Sequence, residues 1–100
     1  MPMLCGGAAP PKDATPEVQK ICDEVKAQSE EKAGMKFNKF KAKTFTSQVV
    51  AGTNYFIKVE VDGNKYVHLC VHKPLPHENK PLTLLRQETD KLDHETIGFF

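Results

Sequence analysis

The stretch Gln48-Val49-Val50-Ala51-Gly52-Thr53-Asn54 carries no charge and separates two runs of residues that alternate with a period of two. Two alternating runs joined by a short segment that contains glycine predict two antiparallel strands and a hairpin. Hairpin tips are ordinarily polar, because turn residues such as Gly, Asn, Asp and Pro face water. An uncharged tip rich in valine therefore either folds back into the core or stays exposed to bind an apolar, concave partner.

The run before the hairpin is irregular, and two further strands are predicted after it. The run before it, residues 36–45, alternates phenylalanine and lysine. It slips in parity between Ala42 and Phe45, which predicts either a β-bulge or a strand that bends around the helix. Asp62-Gly63-Asn64 predicts a second tight hairpin, and residues 65–72 predict the strand that follows it. The proline-rich residues 74–81 must form a loop, because proline cannot donate to a strand ladder. Residues 82–85 then predict a last strand.

The strand from residues 65–72 has two unlike faces. Its apolar face carries Val67, Leu69 and Val71. Its opposite face carries Tyr66, His68, Cys70 and His72. Because the second set is more polar, we expect that face of the sheet to be solvated.

A helix is predicted ahead of the strands. Thr15 suits the N-cap, Pro16 suits the first helical position, and Gly34 suits the C-cap. Between them an apolar stripe at helical spacing comprises Val18, Ile21, Cys22, Val25 and Ala33. The helix should therefore lie across one face of a sheet, with Cys22 as a small buried side chain.

These elements predict an α+β fold in which an antiparallel sheet of four to five strands wraps on one long N-terminal α-helix. The 100 residues suit a single domain, 1–100, and the Pro- and Gly-rich residues 1–14 predict a mobile N-terminal arm. Successive hairpins of a meander emerge at opposite ends of the sheet. We therefore expect the loops at 48–54 and 74–81 to lie side by side, away from the turn at 62–64.

The composition narrows the classes of function. With 14 basic and 13 acidic side chains, the net charge does not favour nucleic acid or an anionic membrane as a partner. No segment is apolar enough to span a bilayer, and the first residues lack the features of a signal peptide. The odd set of Cys5, Cys22 and Cys70 argues against a disulfide framework. We expect a reduced protein in the cytoplasm, with the nucleus as an alternative location.

Two parts of the sequence allow other functions, nucleic-acid binding and metal binding. The Lys/Phe run at 36–45 resembles a stacking strand for single-stranded nucleic acid, although a strand with one buried and one lysine-rich face explains it more simply. His68-x-Cys70-x-His72 offers metal ligands at strand spacing, but it lacks an evident fourth ligand. The sequence contains no recognisable catalytic motif, so we expect neither an enzyme nor a metal or other cofactor.

The residues of both loops and the arm together resemble the cystatin family, in its intracellular stefin branch. The resemblance rests on Gln48-Val49-Val50-Ala51-Gly52 between two strands, on Leu75-Pro76 in the later loop and on Leu4-Cys5-Gly6 near the start. It extends through residues 53–59 and 77–84 and so covers nearly the whole chain.

The resemblance implies a reversible, tight-binding inhibitor of papain-like cysteine proteases such as the cathepsins. Such an inhibitor blocks the active-site cleft with a three-part wedge made of the arm and two hairpin loops. The protease-binding residues it implies are Leu4, Cys5, Gly6, Gln48, Val49, Val50, Ala51, Gly52, Leu75, Pro76 and His77. The arm departs from the family pattern in its doubled glycine, Gly6-Gly7, which leaves its register open. The expected state is mainly a monomer, with a domain-swapped or Cys5-linked dimer as alternatives.

Overall fold

The computed structural model describes residues 10–100, which form one α-helix and a five-stranded antiparallel sheet. In chain order the elements are β1 (Lys12–Asp13), α1 (Pro16–Ala33), β2 (Lys41–Val50), β3 (Gly52–Val61), β4 (Lys65–Lys73) and β5 (Thr83–Lys91). The strands lie in the sheet in their chain order, so the topology is a meander. The predicted α+β class and helix-on-sheet arrangement are confirmed.

Helix α1 begins and ends at the predicted residues. The Thr15 hydroxyl accepts a hydrogen bond from the Val18 amide at 3.2 Å, and Pro16 occupies the first helical position. Gly34 ends the helix in the left-handed region, with φ of +71°, where glycine meets no steric penalty. Within residues 10–100, no helix has the length and hydropathy needed to cross a membrane.

One hydrophobic core lies between α1 and the sheet. The helix contributes Val18, Ile21, Cys22 and Val25, all of which are buried as predicted. From the strands, the core receives Ala42, Ile57, Val59, Val61, Val67, Leu69, Val71 and Leu84. Because strand side chains alternate between the two faces, these residues are one face of each strand.

Two glutamines of the helix attach it to strands near opposite edges of the sheet, β2 and β5. The Gln19 side chain accepts from the Ala42 amide at 2.8 Å and donates to the Phe40 carbonyl at 3.0 Å. The Gln28 side chain accepts from the Leu84 amide at 2.9 Å and donates to the Leu82 carbonyl at 3.3 Å. These bonds satisfy backbone groups of β2 and of the chain at the start of β5, and they fix the position of the helix across the sheet.

Residues 35–40 do not extend strand β2, contrary to the strand predicted from residue 36. The Phe37 amide donates to the Glu30 carboxylate at 2.8 Å, and the Asn38 and Lys39 amides donate to the Asp62 carboxylate. Because side chains already satisfy these amides, they do not enter a strand ladder. The bulge predicted between Ala42 and Phe45 is confirmed by the register shift between Ala42 and Thr44.

The strand prediction was also wrong at both edges of the sheet. Lys12–Asp13 pair with β2, although residues 1–14 were predicted to form a mobile arm. Strand β5 continues to Lys91, six residues beyond the predicted end at Leu85. Both are edge strands with largely exposed side chains, so neither shows the apolar alternation that reveals a strand in sequence.

The sheet face opposite the helix is covered, although we expected it to be solvated. The C-terminal segment after Lys91 packs a second cluster there, in which Ile97 lies with Phe56 and Cys70. The Phe99 ring packs against Phe56 at a tilt of 30°, with 4.7 Å between centroids. Polar contacts hold the same segment, since Lys58 donates to the Asp93 carbonyl and the Arg86 Nε donates to the Phe100 carbonyl at 2.8 Å.

Candidate functional site

The first hairpin projects its apolar tip into solvent. Strands β2 and β3 stay paired to the end, where Val50 lies opposite Gly52 and Ala51 alone makes the turn. Val49 is 84% exposed and Val50 is 43% exposed. Of the two interpretations open for this uncharged stretch, the structure therefore selects exposure over burial in the core.

The loop between β4 and β5 forms a second tip, which is closed by its own hydrogen bonds. Its residues Pro76–Glu78 form one turn of 3₁₀ helix, in which the Glu78 amide donates to the Leu75 carbonyl at 3.0 Å. In return, the Glu78 carboxylate accepts from the Leu75 amide at 3.0 Å. Leu75 is 38% exposed, and Pro76 and His77 are exposed as well.

The two tips lie side by side at one end of the sheet, as predicted. The last pair of the β3–β4 register is Thr53 with Lys73, immediately below both tips. Gly52 approaches the second loop so closely that a Cβ there would lie 2.4 Å from the Lys73 carbonyl oxygen and 3.3 Å from Pro74 Cα. Gly52 also has a φ of +103°. Only glycine combines this backbone conformation with this close approach.

The arm residues predicted for the site, Leu4, Cys5 and Gly6, lie outside the described residues. The first described residues show the direction of the chain. Lys12 pairs with Phe45 and Asp13 with Thr44, so the chain nears the first tip on going from Asp13 back toward Pro10. A small cleft lined by Pro10, Lys12, Phe45, Thr46 and Ser47 continues in that direction.

The Lys/Phe run at 36–45 does not form a stacking surface. Phe37 and Phe40 are buried, and their rings stack on one another with 5.7 Å between centroids. Phe45 is half-buried and pairs with the Tyr55 ring. Because single-stranded nucleic acid binds exposed aromatic faces, the geometry does not support that alternative.

The His68, Cys70 and His72 side chains do not form a metal site. His68 is buried and Cys70 packs with the C-terminal segment, whereas the His72 Nδ1 lies 2.8 Å from the Asn54 Oδ1. No group of three or more His, Cys, Asp or Glu within residues 10–100 could hold a metal ion. Burial raises the pKa of the Cys70 thiol, so this cysteine is a poor nucleophile as well.

His68 is a buried polar side chain on the same face of β4 as Cys70. It is 4% exposed, and its Nε2 atom has no hydrogen-bond partner among the residues described. Burial lowers the pKa of the imidazole, and the nearby cations Lys91 and Lys58 lower it further against the opposing effect of Glu88 and Glu95. His68 is therefore held neutral, as part of the packing rather than of a reactive centre.

Comparison with known proteins identifies the family of this chain. The family model of the cystatin domain matches residues 6–94. The chain belongs to the cystatin family. It is 53% identical to the cystatin-B of Homo sapiens, 52% to that of Mus musculus and 51% to that of Bos taurus. Each alignment covers 98% of this chain and 100% of the relative.

As a cystatin similar to these cystatin-B proteins over its full length, the chain is an inhibitor of cysteine proteases and not an enzyme. The paired tips are the two hairpin loops that the resemblance implied, although the role of each residue in binding stays a prediction. Sequence reasoning missed the bond between His72 and Asn54 below the tips. Their pairing follows from the β3–β4 register, which nothing in the local pattern of either strand reveals.

Proposed function

We propose that this cystatin blocks the active-site cleft of papain-like cysteine proteases, the cathepsins among them, by inserting the first hairpin tip and the second loop together. Residues 48–52 form the central part of the wedge, and residues 75–77 form one side. The N-terminal arm, with Leu4, Cys5 and Gly6, forms the other side.

The observation that carries this proposal is the pair of exposed apolar tips at one end of the sheet. Val49, Val50 and Leu75 are among the few large hydrophobic side chains that the described residues leave exposed. Fully burying an exposed side chain of this size yields about 1.5–3 kcal/mol. Val49, at 84% exposure, retains most of this gain for the complex, whereas Val50 and Leu75, at 43% and 38%, retain less than half of it each. An uncharged wedge also enters a protease cleft without desolvating an ionised group.

The rigidity of both tips supports inhibition rather than cleavage. The first hairpin is paired up to Val50 and Gly52, and hydrogen bonds between Leu75 and Glu78 close the second loop. Preformed loops lose little conformational entropy on binding. A wedge that does not adapt to the cleft also keeps its peptide carbonyls away from attack geometry, which cleavage requires.

The direction of β1 supports a place for the arm in the same wedge. Going from Asp13 back to Pro10, the chain follows β2 toward the first tip. We expect deletion of residues 1–6 to raise the rate of dissociation from the protease and to leave the free energy of unfolding unchanged. An unchanged dissociation rate would show that the arm does not contribute.

Inhibition of papain by the purified chain tests the proposal. We expect the unmodified chain to inhibit papain below micromolar concentration, and Val49→Asp to weaken inhibition by at least tenfold, because it places a charge on the central tip. Met35→Asp is the matched control: Met35 is also exposed, at 56%, but lies near Asp62 and Lys65 at the other end of the sheet. Absence of inhibition at micromolar concentration would refute the proposed function, and equal loss in both variants would refute the assignment of the tip.

We also propose that the inhibitor acts as a monomer in the cytoplasm. The two described cysteines, Cys22 and Cys70, are free and buried, which suits a reducing compartment. Fractionation of cells and size-exclusion chromatography with and without reductant test the two statements. Recovery in the secreted fraction, or a dimer that persists in reductant, would contradict them.

A further inference from the structure

His72 lies where the two tips meet. It is the penultimate residue of β4, two positions before Pro74, where the second loop begins. Its ring faces β3, the returning strand of the first hairpin. We propose that His72 is a positioning residue that, with Asn54, sets the separation of the two tips and thereby the lifetime of the protease complex. This inference rests on the proposed function.

The first contact of His72 is a hydrogen bond across the sheet. Asn54 is its partner in the β3–β4 register, and the His72 Nδ1 lies 2.8 Å from the Asn54 Oδ1. An amide oxygen can only accept, so Nδ1 carries the hydrogen and donates. The bond joins the base of the first hairpin to the strand that leads into the second loop.

The second contact of His72 is with the first tip itself. A Cβ at Gly52 would lie 3.1 Å from the His72 Cε1, so the edge of the ring lies directly against the Gly52 backbone. His72 thus meets the returning strand at Asn54 and again two residues nearer the tip. A side chain held at two points fixes both a distance and an orientation.

The position of this contact explains why it matters for binding. The β3–β4 register ends at Thr53 and Lys73, one pair above Asn54 and His72. Beyond that pair the strand ladder no longer holds the tips together, and side chains at the end of the ladder must set their separation. Because the protease cleft has to receive both tips at once, a change in their separation raises the cost of ordering them on binding.

The proposal predicts an effect on dissociation that exceeds any effect on folding. Because the bond lies within the inhibitor, its loss should raise the dissociation rate by at most roughly 2- to 13-fold, which corresponds to the about 0.5–1.5 kcal/mol of a net hydrogen bond. The association rate should change little, since variants of one interface differ mostly in dissociation.

The test is a double-mutant cycle on the complex with papain. His72→Phe keeps the ring and removes the donor, Asn54→Ala removes the acceptor, and the double variant lacks both. His72→Gln returns an amide donor at the same position and should restore part of the lifetime. His94→Phe is the matched control, because His94 is exposed in the C-terminal segment, outside both tips.

We expect each single variant to dissociate faster and the double variant to dissociate no faster than either one. Coupling of this kind is the signature of a direct interaction. Free energies of unfolding in urea, measured on the same variants, separate positioning from folding. A lower free energy of unfolding with an unchanged dissociation rate would overturn the proposal, and so would additive effects in the double variant.

The outcome also distinguishes this inference from the proposed function. If the unmodified chain inhibits papain and all variants dissociate at its rate, only the role of His72 is refuted. If the unmodified chain does not inhibit, the proposed function is refuted, and the inference falls with it. Should His72→Phe fail to fold, Asn54→Ala and His72→Gln still decide the question.

Discussion

Replacing Gly52 by alanine should destabilise the protein by about 3 kcal/mol, the sum of two effects at one residue. The first effect is backbone strain: φ is +103° at Gly52, and residues forced into sparsely populated conformations cost about 1–3 kcal/mol. The second is a clash, because the new Cβ would lie 2.4 Å from the Lys73 carbonyl oxygen, and overpacking of this kind adds at least about 1 kcal/mol. To reach ordinary contact at 3.4 Å, the first tip and the second loop must move apart by about 1 Å.

Thermal and urea unfolding measure the first consequence of Gly52→Ala. For a domain of this size, 1 kcal/mol corresponds to about 4–8 °C in the melting temperature, so we expect a decrease of roughly 12–24 °C. The second consequence is a faster dissociation from papain, by at least tenfold, because the two tips no longer have their original separation.

Two control glycines separate strain from clash. Gly63 has a φ of +75°, and a Cβ added there would meet no atom within 4 Å, so Gly63→Ala should show the strain alone, about 1 kcal/mol. At Gly98 a Cβ meets nothing within 4 Å and φ is not in the positive range, so Gly98→Ala should be neutral. If Gly52→Ala were no less stable than Gly63→Ala, the close approach of the two tips would be refuted.

Three further predictions concern the rest of the fold. Thr15→Ala should lower the free energy of unfolding by about 0.5–2 kcal/mol in urea titrations, because it removes the helix cap, and an unchanged value would contradict the cap. Folding lowers the pKa of His68 from its ordinary value of 6.5, so the unfolded chain binds a proton at this residue more readily than the folded one. The stability present above pH 6.5 is therefore lost as the pH falls below 6.5. The free energy of unfolding should therefore decline from pH 7 to pH 5, and less steeply in His68→Gln; equal slopes would show that His68 is not responsible. Burial raises the pKa of Cys22 to about 12 and also raises that of Cys70. In a Cys5→Ser background, neither thiol should therefore react with a disulfide reagent at pH 8 until urea unfolds the protein. Rapid reaction of the folded protein would contradict the burial of both thiols.

The sequence predicted most accurately the elements whose signals are local. The cap at Thr15, the left-handed Gly34 and the apolar stripe of α1 all act within one or two turns of the chain, so short-range rules are sufficient. The hairpins at residues 48–54 and 62–64 followed from alternation and turn residues in the same way. The edge strands were predicted poorly, because exposed side chains carry no apolar period.

The C-terminal segment shows the limit of local patterns. Ile97, Phe99 and Phe100 are separated from Phe56 by about forty residues of chain, and only the folded sheet brings them together. The same packing buries Cys70, whose strand face looks solvated from sequence alone. Polar residues on a strand predict exposure only when nothing further along the chain covers them.

The sequence by itself determined the fold class, the position of the helix ends and the existence of an uncharged hairpin tip. These features depend on residue types at short spacing, where steric and hydrogen-bonding preferences act directly. Only the tertiary structure decided that the tip is exposed, that the Gly52 backbone approaches the Lys73 carbonyl oxygen so closely, and that His72 contacts Asn54 below the two tips. The reason is physical: strand pairing brings together residues far apart in the chain, and the distance between two tips is a property of the sheet rather than of either loop.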